Sequence, residues 1–173
     1  MCRANDKVAP LGISIMPNQA EVVEQLREAV EWIEPATVSG TPMKNAWVLG
    51  GVRGSVSDLP GFGSWWVMDP AAIATVELMQ LQKGEKVLDV CAAPGGKTMR
   101  IASEGATVYA TDRSQGRLVR LKESAERLGF DVGVSQVDWV LNPEVEGPEM
   151  DAVLVDAPCT GLGTLRRHPE IRW

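Results

Sequence analysis

Four short apolar runs, EKVLDVC, ATVYATD, DVGVSQVD and MDAVLVDAP, punctuate the second half of the chain. Runs of this length, bounded by turn residues, predict buried strands. Helical spacing fills most of the intervals. A helix is expected from about Gly96 to Ser103, after the first run. After the second, Leu118, Leu121, Ala125 and Leu128 line one face of a helix that Gly129 ends. A loop with Trp139, Pro143, Gly147 and Pro148 leads into the fourth run. Ahead of the first, Asp69 is placed to cap a helix with Pro70 in its first position. That helix should run to about Gln82, with Gly84 just beyond its end. Strands alternating with helices imply parallel βαβ units. The expected class is therefore α/β, with an open sheet that binds ligands at the carboxyl ends of its strands.

The first part of the chain is less regular. Residues 1–17 carry little pattern. Val22, Leu26, Ala29, Val30 and Ile33 then follow helical spacing, Asn18 with Glu21 resembles a capping box, and Pro35 should stop the helix. Short strands and loops are expected over residues 36–64. The segment LPGFGSWWVMDP holds two adjacent tryptophans among glycines. Exposed, they would give bases a stacking surface; packed, they would form the seam between two subdomains.

Composition narrows the function only a little. The chain has 173 residues, 45% hydrophobic and 23% charged, enough to bury a core. No apolar run approaches the ~20 residues of a membrane span, and the start has no signal core, so no membrane partner is expected and a cytoplasmic setting is. Cys2, Cys91 and Cys159 have neither disulfide nor zinc-site spacing, and with a single histidine no metal is expected. The net charge of −6 is a mild count against nucleic acid, but distribution matters more. Arg113, Arg117, Arg120, Lys122 and Arg127 read as a solvated helix face, whereas Arg166, Arg167, His168 and Arg172 adjoin a motif.

The strand ends carry the chemistry. Gly96, Lys97 and Thr98 match the end of a GxxxxGK[ST] phosphate loop, but its opening glycine is Cys91 here. Pro94 also has no N–H to offer a phosphate. A nucleoside seat suits the residues better, since Cys91, Ala93 and Gly95 keep side chains small where a ligand would lie. Asp112 follows that loop at close to the ~20 residues expected of a ribose-binding acid. Asp138, after the next strand, could meet an adenine amino group. Each aspartate alone could equally be a turn or cap residue; their sharing one rim favours a ligand such as S-adenosylmethionine, which has free ribose hydroxyls and no phosphate.

LDVCAAPGGKT, YATD, VDAPCTGLGTLRRHPEIRW and the earlier LPGFGSWWVMDPAA closely resemble the RNA cytosine-carbon-5 methyltransferases, nearest to the bacterial small-subunit ribosomal RNA enzymes of the Sun, Fmu or RsmB type. The likeness is strongest from about Leu59 to Trp173. The resemblance implies a Rossmann-like S-adenosylmethionine-dependent methyltransferase fold. It divides the chain into a partial RNA-binding-like α+β subdomain over residues 1–58 and the first part of the catalytic domain over residues 59–173. It implies that Cys91, Ala92, Ala93, Pro94, Gly95, Gly96 and Lys97 form the cofactor loop. By the same carry-over Asp112 holds the ribose, Arg117 lies near the cofactor, Asp138 meets the adenine and Asp156 opens the fourth-strand motif. Lys97 and Asp156 would border the target base. Cys159 matches a cysteine that helps release the enzyme after methyl transfer. Arg166, Arg167 and His168 are expected to hold RNA, the partner, by its phosphates.

In the family a second cysteine, in a Thr-Cys-Ser motif, attacks carbon 6 of cytosine. That makes carbon 5 nucleophilic toward the methyl group, and a base then removes the carbon-5 proton. This sequence holds no Thr-Cys-Ser. The chain therefore reads as a piece of a longer protein, cut after the fourth strand and inactive alone, with that strand's edge open to self-association. Two other readings stay open: a fragment using Cys159 as the nucleophile, and a catalytically inactive module that binds S-adenosylmethionine or RNA.

Overall fold

The computed structural model describes residues 9–142 and 148–159. The first elements are β1 (Leu11–Ile15), α1 (Ala20–Ala29), β2 (Trp32–Val38), β3 (Thr41–Gly50) and β4 (Trp65–Val67). Their strands form an antiparallel sheet in the order β2-β3-β1-β4. Val22, Val23 and Leu26 of α1 close one core with Ile13, Ile15, Ile33, Leu49 and Trp65. This sheet includes β4, so residues just past 58 still belong to it.

Next come α2 (Pro70–Glu77), β5 (Lys86–Asp89), α3 (Gly96–Ser103), β6 (Thr107–Asp112), α4 (Gln115–Leu128), β7 (Val132–Gln136) and β8 (Ala152–Leu154). Their strands form a parallel sheet in the order β7-β6-β5-β8. Leu118, Leu121, Ala125 and Leu128 of α4 are all buried, as their spacing predicts. The chain adds β6 and β7 on one side of β5, then returns to place β8 on the other. That reversal opens a crevice at the carboxyl ends of β5 and β8, where open α/β sheets bind ligands. Among the described residues β8 is an outer strand, with Val153 half-exposed.

The tryptophan pair joins the two halves. Alternation along β4 points Trp65 into the first core and Trp66 into the second. Trp66 Nε1 donates to the Gly96 carbonyl at 3.1 Å, pinning β4 against the start of α3. Both rings are buried, so the seam reading holds and the stacking surface does not. Gly12 lets β1 approach closely: a Cβ there would lie 2.5 Å from the Met68 carbonyl oxygen.

Several boundaries differ from the sequence reading. LGISI, within the stretch that carried little pattern, is β1, with β3 and β4 on either side. Asn18 does not cap α1; it takes a left-handed backbone (φ 65°), and Gln19 occupies the cap position without a side-chain bond. Ile33 and Pro35 lie in β2, not at the end of a helix. Proline is tolerated there because β2 is an edge strand, and the pairing register shifts between Pro35 and Thr37. Asp69 does cap α2, its Oδ1 accepting from Ala71 N at 2.7 Å, but the helix stops at Glu77. The cluster read as a solvated face is mixed. Arg127 donates to the carbonyls of Phe62 and Trp65 and stacks 4.2 Å over the Phe62 ring, and Arg117 donates to the Ala93 carbonyl.

Candidate active site

Four backbone donors of the loop from Val90 to Gly95 are spent on the protein itself. Val90 N donates to Leu154 O, Ala92 N to Thr111 O, and Gly95 N to Ala92 O. Ala93 N donates to Asp112 Oδ2 at 3.2 Å. Pro94 has no donor. These amides are therefore not free to cradle a phosphate, which agrees with the missing phosphate-loop glycine. Gly95 ends the loop in a left-handed conformation (φ 111°) and caps α3.

Two hollows meet at Cys91. One, of ≈ 190 Å³, is lined by Cys91 to Pro94, Gly96 and Lys97, with Asp89 and Asp156. The other, of ≈ 270 Å³, takes in Asp112, Arg117 and Asp138, with Trp139 and Pro158 as apolar walls. The structure thus brings the expected cofactor-loop residues other than Gly95, and all three expected aspartates, onto the walls of these two hollows.

Asp112, at the end of β6, is buried. Its Oδ1 accepts from Ser114 N at 2.9 Å and its Oδ2 from Ala93 N, with Arg117 at 3.4 Å. Oδ1 keeps a lone pair beyond its Ser114 bond, while Oδ2 meets both Ala93 N and Arg117. Asp138 holds the turn after β7, its Oδ1 accepting from Val140 N at 3.0 Å and Leu141 N at 3.3 Å. It is therefore a turn residue as well as a lining residue. Lys97 Nζ donates to Asp156 Oδ2 at 2.6 Å across the crevice. Cys159 is exposed and directly follows Pro158. Arg166, Arg167 and His168 lie outside the described residues.

The sequence reading missed Asp89 as a site residue. It sits at the end of β5, buried, and accepts from Thr98 Oγ1 at 2.7 Å. Burial pushes its carboxyl up from the usual 3.8 to about 6. The Thr98 bond and the Lys97 charge oppose the shift, while the Asp156 and Asp112 charges add to it. Burial likewise raises the Cys91 thiol, and the charges of Asp112, Asp89 and Asp156 raise it further against Arg117. These effects disfavour the thiolate at Cys91, whose small side chain forms the wall shared by the two hollows. Trp139 was read only as a loop residue, but its Nε1 donates to Thr111 Oγ1 at 2.9 Å and its ring walls the hollow. Among the described residues no group of three or more His, Cys, Asp or Glu could hold a metal ion. None of their helices is long and apolar enough to cross a membrane.

Known proteins share this arrangement. The family described as 16S rRNA methyltransferase RsmB/F matches residues 76–173. The ribosomal RNA small subunit methyltransferase B of Serratia proteamaculans is 44% identical over 124 residues, 69% of this chain and 29% of that protein. The crystal structure of PH0851 superposes with a TM-score of 0.82 at 30% identity, over 99% of this chain and 40% of that one. NSun6 from Pyrococcus horikoshii, solved with SFG, gives a TM-score of 0.57 at 30% identity, over 72% of this chain and 34% of that one. The chain spans well under half the length of each. The cofactor of methyltransferases of this kind is S-adenosylmethionine, and the donor set fits it: buried and rim carboxylates for hydroxyls and amines, beside a loop whose Val90, Ala92, Ala93 and Gly95 amides are already bonded within the protein. With more than half of its residues matched by one family and its strand-end loop built as described, this chain belongs to the RsmB/F family of 16S rRNA methyltransferases.

Proposed function

We propose that this chain forms the cofactor-holding part of an enzyme that methylates carbon 5 of cytosine in small-subunit ribosomal RNA. One observation carries the reading. Two hollows join at Cys91, one with Asp112 and Asp138 for a nucleoside, the other with Asp89, Lys97 and Asp156 for the reacting end and the target base.

When bound, S-adenosylmethionine supplies a methyl group on a sulfonium. Asp112 would accept from its ribose hydroxyls through Oδ1, which keeps a lone pair beyond the Ser114 bond. Asp138 keeps Oδ2 for the adenine amino group while Oδ1 holds the turn. Arg117 is a positioning residue, tying Asp112 to the Ala93 carbonyl. At the other hollow cytosine N3 takes up a proton from solvent as the thiolate adds to carbon 6; Asp156 then accepts from N3–H and stabilises its positive charge, and Lys97 fixes Asp156 in place. Cys159 assists release of the methylated base, as its Pro-Cys position implies. The target base must leave its stack to enter. Arg166, Arg167 and His168 hold flanking phosphates, and residues 1–58 contribute to RNA binding. A ribosomal RNA substrate implies a cytoplasmic enzyme.

The absence of Thr-Cys-Ser from these 173 residues favours a second reading, a module that binds cofactor without turnover. Calorimetry with S-adenosylmethionine and tritium transfer to 16S rRNA, on this chain and on the full-length protein, separate the two. The chain should bind cofactor without transferring label, Asp112→Ala should lose that binding, and the full-length protein should label cytosine carbon 5. Label at another position, or none from the full-length protein, overturns the proposal.

A further inference from the structure

A hollow of ≈ 450 Å³ opens in the N-terminal sheet, apart from the strand-end site. Its size falls within the roughly 300–1,000 Å³ of small-ligand clefts. Three carboxamides line it: Asn18 and Gln19 just ahead of α1, and Asn45 on β3. Trp47, also on β3 and half-buried, lines it as well. None of the three carboxamides makes a side-chain hydrogen bond among the described residues. Asn18 is exposed and Gln19 and Asn45 are half-buried, so the three amides face the opening of the hollow, where a ligand can exchange with their water.

The backbone beneath two of them is held at a cost. Asn18 and Asn45 both take left-handed conformations, with φ of 65° and 52°. Such residues persist where the surroundings impose them, and they gather at ligand clamps. Charge narrows the occupant. The charged residue in the lining is Glu24, and Arg27 pairs with it at 3.4 Å. With no cation in the wall, the hollow is not built for a phosphate or a carboxylate. It suits a neutral, flat, hydrogen-bonding group. An indole beside carboxamides is the chemistry that takes up an unstacked base, with stacking on the ring and amide bonds to the base edge.

We infer that this hollow binds one unpaired nucleobase of the RNA substrate, with Trp47 as the stacking wall and Asn18, Gln19 and Asn45 reading the base edge. The inference rests on the RNA reading above and adds to it a base-binding subsite remote from the reacting cytosine.

Asn18→Gly and Asn45→Gly remove a carboxamide each while glycine keeps the left-handed backbone. The test uses this chain and the full-length protein, a short unstructured fluorescein-labelled RNA containing all four bases, and fluorescence anisotropy. Asn45→Gly should weaken RNA binding about tenfold, the loss of one base-edge contact, and the double variant should weaken it further. Affinity for S-adenosylmethionine, measured by calorimetry, should be unchanged. Cross-links from 4-thiouridine in the same RNA should map to the segment from Met16 to Trp47. If wild type binds this RNA and the double variant binds it equally well, the subsite is refuted while the RNA reading stands. If neither wild-type protein binds RNA, both fall.

Discussion

Lys97 and Asp156, 59 residues apart in sequence, meet at 2.6 Å where β5 and β8 end side by side. The contact exists because β8 returns to the flank of β5 instead of extending the sheet beyond β7. Asp156 is more than half exposed, so the pair adds little to stability, within the ~0–1 kcal/mol of surface ion pairs. Its value lies in placing a carboxylate and an ammonium at the hollow proposed to receive the target base. Lys97→Met in the full-length enzyme should lower the rate of methyl transfer at saturating cofactor by about 100-fold, the scale of a lost charge-positioning or proton-transfer group. Urea unfolding of the same variant should shift by less than ~1 kcal/mol. Unchanged turnover removes Lys97 from the chemistry.

Asp89 should make stability fall as pH rises. Its carboxyl titrates at about 6 in the fold and near 3.8 when unfolded. Between those values the folded chain holds the extra proton, so raising pH favours the unfolded state until the slope ends near pH 6. A shift of about two units corresponds to roughly 3 kcal/mol. Asp89→Asn removes this titration and keeps an acceptor for Thr98. Relative to wild type, the variant should gain roughly 3 kcal/mol on going from about pH 4 to about pH 7. Urea midpoints at the two pH values measure the gain, and parallel curves would show that Asp89 titrates normally.

The second half of the fold was legible because each strand is a continuous apolar run and each helix has its own stripe. Leu118, Leu121, Ala125 and Leu128 needed no tertiary information to be placed on one face. The first half was not. LGISI became a strand only through its neighbours β3 and β4. Pro35 looked like a helix stop because its edge position, which lets a strand carry it, is a property of the sheet. Asp112 and Asp138 were found by spacing and by resemblance. Asp89 was passed over as a site residue because its raised carboxyl comes from burial and from aspartates on other strands. Asn18 read as a helix cap, and Gln19 and Asn45 gave no signal, since their hollow is assembled from α1 and three strands.

Gly95 should tolerate no side chain. A Cβ there would lie 2.9 Å from Leu121 Cγ of α4, on a backbone with φ 111°. The clash and the conformation act together, because the loop cannot shift without breaking the Gly95–Ala92 and Ala93–Asp112 bonds. Gly95→Ala should cost about 1–3 kcal/mol of stability and weaken S-adenosylmethionine binding at least tenfold. Thermal melting and calorimetry check the two effects. Wild-type cofactor affinity in this variant would mean that the loop is not the seat.

Arg100 carries the strongest prediction about how the halves are joined. Its side chain is 1% exposed, yet it is a full cation. From α3 it donates to Ser14 Oγ on β1 at 3.2 Å, to Glu77 at the end of α2 at 3.2 Å, and meets Glu104 at 3.0 Å. Its Nε has no partner among the described residues. A buried cation paid for by two carboxylates cannot lose its charge without stranding them, which for a fully buried pair costs about 3–5 kcal/mol. Glu77 and Glu104 keep 33% and 26% of their side chains exposed and can partly rehydrate. The expected loss for Arg100→Met is therefore nearer 2–3 kcal/mol, with about 1 kcal/mol for Ser14→Ala, the worth of one ordinary hydrogen bond. Urea denaturation measures both. Because Arg100 lines neither of the two strand-end hollows, its variant should weaken S-adenosylmethionine binding less than Gly95→Ala does. An Arg100→Met protein as stable as wild type would mean that burying the guanidinium costs as much as its three partners return, and that Trp66, Arg127 and apolar packing hold the two sheets together without it.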